Sequence, residues 1–129
     1  MYKFHDDGTL PQNGEVWVFG SNLIGVHGAG AAKVAREEFG APMGAGMGLM
    51  GKAYAIPTKD RKIETLPLST IKFFAEQFVD FTYHFQDLDF FVTRVGCGLA
   101  GYSDDQIAPM FRHCNFNNCS FPKQWEHLL

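Results

Sequence analysis

Four side chains able to bond or react lie in short glycine-rich or strand-end contexts. Asn22 and His27 fall within Gly20–Gly30, Lys59 follows an apolar run that ends in Pro57-Thr58, and Cys97 stands between Gly96 and Gly98. The Asn22 amide can both donate to and accept from a sugar hydroxyl or a water, or it can bond its own turn backbone. Lys59 offers a cation or a desolvated amine at a strand end, or simply a stem that snorkels to solvent. His27 can orient a sugar hydroxyl or rest in solvent. Cys97 would need a base partner to act as a nucleophile, and no partner is identifiable, so a small side chain in a tight loop is the preferred reading. His113, Cys114, Cys119 and His127 lack the spacing of a zinc site, and no metal or cofactor is expected.

These residues need a frame, and the apolar pattern supplies one. Glu15–Phe19 reads as a buried strand, followed by a loop over residues 20–30 and a helix from Ala29 to Phe39, with Ala31, Ala32, Ala35 and Phe39 at helical spacing and Gly40 as the stop. A second strand is expected over Lys52–Pro57, with residues 58–60 at its carboxyl end. Ile71, Phe74, Ala75, Phe78, Thr82 and Phe85 form one stripe of a helix over residues 68–85, which Ser69 or Thr70 could cap. Asp89–Val95 is a β-branched and aromatic strand running into a second glycine loop. Ser103–Gln106 fits a capping box opening a helix that reaches about Arg112, with Pro109 placed to kink it. A last strand over residues 118–121 precedes a frayed tail.

That alternation implies an α/β fold: a single three-layer domain over residues 1–129, with a mainly parallel mixed sheet and helices on both faces. Ligands on such sheets bind beyond the carboxyl ends of the strands. Two glycine loops meet there, one containing Gly20, Ser21, Gly28, Ala29, Gly30 and Ala31, the other Gly96, Cys97, Gly98, Leu99, Ala100, Gly101 and Tyr102. Two such loops can line a cleft with backbone N–H donors, which suits a diphosphate without many cationic side chains.

A third glycine-rich stretch, Gly46–Ala53, matches G-x-G-x-x-G and most of G-x-x-x-x-G-K-[ST]. Either pattern needs a strand entering the glycines and a helix leaving them. Here a helix end precedes and a strand follows, and Ala53 lacks the hydroxyl that would hold magnesium. The stretch is instead expected to be a connection crossing near the cleft as a rim over the ligand.

A 129-residue chain that is 46% hydrophobic supports one core, and a net charge of −3 leaves no broad surface for nucleic-acid phosphates. Three cysteines, an N-terminus without an apolar leader segment and the lack of any long apolar run point to the cytoplasm and to no membrane partner.

Phe19–Ala32 resembles the first ligand loop of macrodomains. Tyr54–Lys59 resembles the F-P-T-K strand end, and Val95–Gly101 the G-C-G-L-x-G phosphate loop, of the branch containing DNA ADP-ribosyl glycohydrolase antitoxins and terminal ADP-ribose protein glycohydrolases. The motifs occur in family order and span residues 16–112. The resemblance implies a macrodomain-like fold that binds ADP-ribose and removes it from a nucleic acid, a protein or a small derivative. It assigns the catalytic positions to Asn22, placing the sugar, and Lys59, engaging the distal ribose or its opened aldehyde. The alternatives it leaves are a non-catalytic ADP-ribose-binding module and a phosphatase for ADP-ribose 1″-phosphate. The chain departs from the pattern in having no G-D-[IL] segment for adenine, with only Asp6 and Asp7 nearby in sequence, and in carrying Ala100 where some protein-directed glycohydrolases have aspartate.

Overall fold

The computed structural model describes residues 2–129. Strands β1 (Lys3–His5) and β2 (Val16–Asn22) precede helix α1 (Gly30–Glu38). Strands β3 (Gly48–Met50) and β4 (Ala53–Lys59) lead to helix α2 (Leu68–His84). Strand β5 (Phe90–Val92), helix α3 (Asp104–Ile107) and strand β6 (Cys119–Pro122) complete the set. The strands form one sheet in the order β1-β6-β5-β2-β4-β3, parallel throughout except for β3, which pairs antiparallel with β4.

Alternation along the central strands divides the core into two layers, because successive side chains leave a strand on opposite faces. Val16 and Val18 of β2 and Tyr54 and Ile56 of β4 pack with α2, where Ile71, Ala75 and Phe78 supply the buried stripe. Trp17, Phe19, Ala53 and Ala55 point the other way, against Ala32 and Ala35 of α1. Alanines on both sides of that contact let α1 lie close to the sheet, which sets its amino end near the carboxyl ends of β2 and β5. Helices therefore cover both faces of an α/β sheet, as the pattern requires.

Several elements differ in extent from the sequence expectation. Gly20, Ser21 and Asn22 continue β2 instead of starting a loop, and β4 runs through Pro57 to Lys59. Proline is tolerated because β3 reaches only as far as Ala55 and the returning chain pairs only from Thr58 onward, leaving Pro57 without a strand partner on that edge of β4. Helix α2 begins after Pro67 with no side-chain cap, so neither Ser69 nor Thr70 caps it, and Phe85 lies past its end, exposed. Strand β5 stops at Val92. The Ser103 capping box is present, with the Ser103 N–H donating to Gln106 Oε1 at 3.0 Å, but α3 passes at Pro109 into a 3-10 turn over Ala108–Phe111.

The tail is anchored, not frayed. Residues Lys123–Leu128 form a second 3-10 turn, and Trp125 is fully buried. No helix among the described residues is long and apolar enough to cross a membrane.

Candidate functional site

A cleft of about 430 Å³ opens at the carboxyl ends of β2, β4 and β5. Its first wall is the end of β2 and the segment entering α1, from Gly20 through Asn22 to Gly28–Ala32. Its second is Thr93–Gly96 with Gly98, Leu99 and Ala100, and its floor is Thr58 and Lys59. Gly96 has φ +75°, and a Cβ built there would stand 3.0 Å from Ile107, so only glycine turns the chain from β5 into the second wall.

Both walls present unpaired backbone donors. Helix α1 has no side-chain cap and no acidic residue in its first turn. Among the described residues, the N–H groups of residues 28–32 donate to no protein acceptor, so the positive end of α1 faces the cleft unneutralised. The second loop closes on itself, Tyr102 N–H bonding Gly96 O at 2.9 Å and Gly101 N–H bonding Gly98 O at 3.0 Å. This leaves the N–H groups of Gly98, Leu99 and Ala100 without a protein partner among the described residues.

Two cations join these donors. Lys59, half-buried at the end of β4, has no carboxylate within ion-pair distance among the described residues. Arg94 follows β5 and was missed by sequence reasoning, which placed it inside a strand. Its Nε and Nη2 donate to the two carboxylate oxygens of Asp104 at 2.9 and 2.8 Å, and Nη1 lies 3.5 Å from Asp7. Trp125 Nε1 donates to the same Asp104 at 2.7 Å, tying the tail to the site. Hydrogen bonding from Arg94 holds the Asp104 carboxyl below the usual carboxylate range. The only sequence signal for Arg94 is a cation immediately before the glycine loop. Among the described residues, no aspartate, glutamate, histidine or cysteine lines the cleft.

Asn22 uses its side chain on its own loop. Its Nδ2 donates to Val26 O at 2.8 Å and its Oδ1 accepts from Val26 N–H at 2.9 Å, closing residues 22–26 into a ring. One Nδ2 hydrogen remains for a ligand. Ser21 and Thr58 are likewise engaged, Ser21 Oγ donating to Gly46 O at 2.5 Å and Thr58 Oγ1 to Ser21 O at 3.1 Å.

Four expected ligand contacts are not in the cleft. His27 is completely buried behind the first wall, edge-on to Phe19 at 5.4 Å, with neither ring nitrogen bonded; its neighbours Val26 and Gly28 face the cleft and it does not. Cys97 turns to a second cavity of about 310 Å³, its Sγ donating to Val95 O at 3.4 Å, and burial pushes its thiol up to about 12, which removes the thiolate a nucleophile needs. Gly101 and Tyr102 lie outside the cleft lining, the Tyr102 hydroxyl donating to Leu66 O at 2.6 Å. The second cavity lies beside β1, includes His5, Asp7, Trp17 and Phe91, and shares Ala31, Thr93, Arg94 and Gly98 with the cleft.

The Gly46–Ala53 stretch is neither a nucleotide loop nor a rim of the cleft. Gly48–Met50 is a strand that turns directly into β4, and none of residues 40–53 lines the cleft. A Cβ at Gly46 would fall 2.4 Å from Asn22 O, so this glycine lets the connection lie directly against the back of the first wall.

No protein-family model matches the chain, and among curated proteins nothing matches it. It is similar in structure to a protein of unknown function from Bacteroides thetaiotaomicron, at 16% sequence identity and a TM-score of 0.63, over 95% of this chain and 97% of that one. At that identity the likeness shows a shared fold spanning nearly the whole of both chains.

Proposed function

We propose that the cleft binds ADP-ribose, with its diphosphate between residues 28–32 and residues 98–100, and that the protein releases ADP-ribose from a nucleic acid, a protein or a small derivative. The observation that carries this reading is the facing pair of unpartnered N–H sets joined by Lys59 and Arg94, in a cleft lined by no carboxylate. Such a lining favours a ligand with two adjacent anionic phosphates over one recognised by acidic groups. The resemblance of the first loop, the P-T-K strand end and the G-C-G-L-A-G loop to ADP-ribosyl glycohydrolases supports the choice of ADP-ribose among such ligands.

In the release step, the bond from the distal ribose C1 to the acceptor breaks, water supplies hydroxyl to C1, and the acceptor leaves with the proton. Lys59 is the cleft group suited to act at that carbon, by contact with the ribose or with its ring-opened aldehyde. Asn22 is a positioning residue that fixes the first wall and offers one Nδ2 hydrogen to the sugar. A second reading, binding without turnover, is favoured by one observation: no imidazole or carboxylate stands in the cleft to move a proton.

Calorimetric titration with ADP-ribose, with AMP, ribose 5-phosphate and NAD as controls, tests the binding. Selective micromolar or tighter affinity for ADP-ribose supports the proposal, and equal indifference to all four overturns it. Release of ADP-ribose from modified DNA or protein by the native chain and not by Lys59→Ala, with binding largely kept, separates hydrolase from binding module.

A further inference from the structure

Lys59 does not face the cleft alone, because the chain after it doubles back. Lys59 and Thr65 form an antiparallel bridge, Asp60 N–H bonds Glu64 O at 2.8 Å, and Asp60 Oδ1 accepts from the N–H groups of Lys62 and Glu64 at 2.8 and 3.0 Å. Within this tight hairpin Ile63 is held at φ +63°, the one positive φ of a non-glycine residue among the described residues. For a β-branched side chain that conformation is an outlier which persists only where the surroundings impose it. The hairpin is in turn fastened to the second wall, Thr65 Oγ1 donating to Ala100 O at 3.1 Å.

The strained residue packs into no core. Ile63 lines the cleft while remaining 46% exposed, and the cleft's other large exposed apolar side chains are Val26 at 38% and Leu99 at 72%. Leu99 reaches toward the opposite wall, where a Cβ on Gly30 would lie 3.9 Å from its Cδ1. Three apolar side chains from three separate segments thus border the same opening as Lys59.

We infer that Ile63 is a specificity-determining residue that closes, with Val26 and Leu99, over the sugar at the Lys59 end of the ligand. This rests on the reading of the cleft as a diphosphate-sugar site. An apolar border shields an uncharged ring and disfavours a further charged group, whose desolvation it leaves uncompensated. The device therefore selects a diphosphate extended by an uncharged sugar over one that ends at the phosphates. Its backbone strain is maintained because glycine or asparagine, either of which would relax it, lacks the apolar surface.

The test compares ADP-ribose with ADP, which lacks the second sugar, on the full chain and on Ile63→Gly and Ile63→Asn. Both replacements suit a positive φ, and asparagine keeps the hairpin from gaining glycine's freedom. The expected result is a melting temperature no lower than that of the native chain. ADP-ribose affinity should fall about tenfold, the scale of one lost apolar contact, with ADP affinity unchanged. Equal weakening of both ligands, or unchanged preference for ADP-ribose in both variants, overturns the assignment of Ile63 while leaving the diphosphate site standing. Failure of the native chain to bind either ligand overturns the site and this inference together.

Discussion

Residues 40–51 and residues 96–101 are both dense in glycine, and the structure uses them for different ends. In the first segment glycine permits backbone to lie on backbone: Gly46 lies under the carbonyls of Asn22 and Leu23, and Gly51 under those of Phe39 and Gly40. In the second, Gly98 and Gly101 have no atom within 4 Å of a built Cβ, so the space beside them is open. At Gly46 and Gly51 the segment matching both nucleotide patterns is packing, whereas residues 96–101, which match G-x-G-x-x-G alone, have N–H groups free to meet a ligand. Composition reports that side chains are missing; only tertiary context tells whether protein or solvent fills the space.

The largest expected effect breaks this comparison directly. Gly46→Ala places a methyl 2.4 Å from one carbonyl oxygen and 2.9 Å from another. It should destabilise the fold by about 3 kcal/mol or more in urea unfolding, as overpacking against immovable backbone does. Gly98→Ala should stay within about 0.5 kcal/mol of the native chain while weakening ADP-ribose binding, since the methyl stands where a phosphate would approach. If Gly98→Ala unfolds the protein and Gly46→Ala does not, the two roles are reversed.

Removal of Asp104 comes next. Asp104→Ala strips Arg94 of a bidentate partner and leaves Trp125 Nε1 without an acceptor, at a cost of about 2 kcal/mol. It should also weaken ADP-ribose binding, because Arg94 is then free to swing toward Asp7. Stability by urea titration and affinity by calorimetry should fall together. An intact affinity in the destabilised variant would remove Arg94 from the site.

On the opposite wall, Asn22→Ala opens the ring formed with Val26 and leaves its N–H and C=O without those bonds, costing about 1–2 kcal/mol. Asn22→Asp keeps the acceptor for the Val26 N–H and loses the donor, so its stability should fall between those of Asn22→Ala and the native chain. A merely ligand-contacting asparagine would show no such graded series in thermal melts.

How much of this was legible depends on how local the cause is. The apolar run Val16–Phe19 and the stripe through Ile71, Ala75 and Phe78 are short-range patterns, and they placed two central strands, the long helix and hence the convergence of both glycine loops with Lys59. Strands β1 and β3 are three residues each, too short to show any period, and exist because β6 and β4 offer them partners. Arg94 and Trp125 meet only through Asp104, and no spacing in the chain announces that. His27 and Cys97 share the glycine-rich contexts of true cleft residues, yet each turns away from the cleft, a choice made by the packing of the whole wall.

The smallest effect concerns the second cavity, where the contrast with the cleft lies in charge. Its edge holds His5, stacked on Phe91 at 3.6 Å with Nδ1 bonded to Ser120 Oγ at 2.6 Å. Burial lowers the His5 pKa to about 4, below its ordinary value of 6.5. Between those values the unfolded chain binds a proton that the folded chain does not, so stability is complete above the unfolded pKa and declines as pH falls through the window toward 4. His5 is only about half-buried, so solvent screening discounts the shift to about 1 kcal/mol. His5→Phe keeps the stack and cannot titrate. The stability difference between native chain and variant, measured by urea unfolding at successive pH values, should therefore tilt against the native chain on acidification from pH 7 to 4.5. A constant difference would mean that His5 accepts its proton in the folded state, with solvent reaching the ring despite the stack.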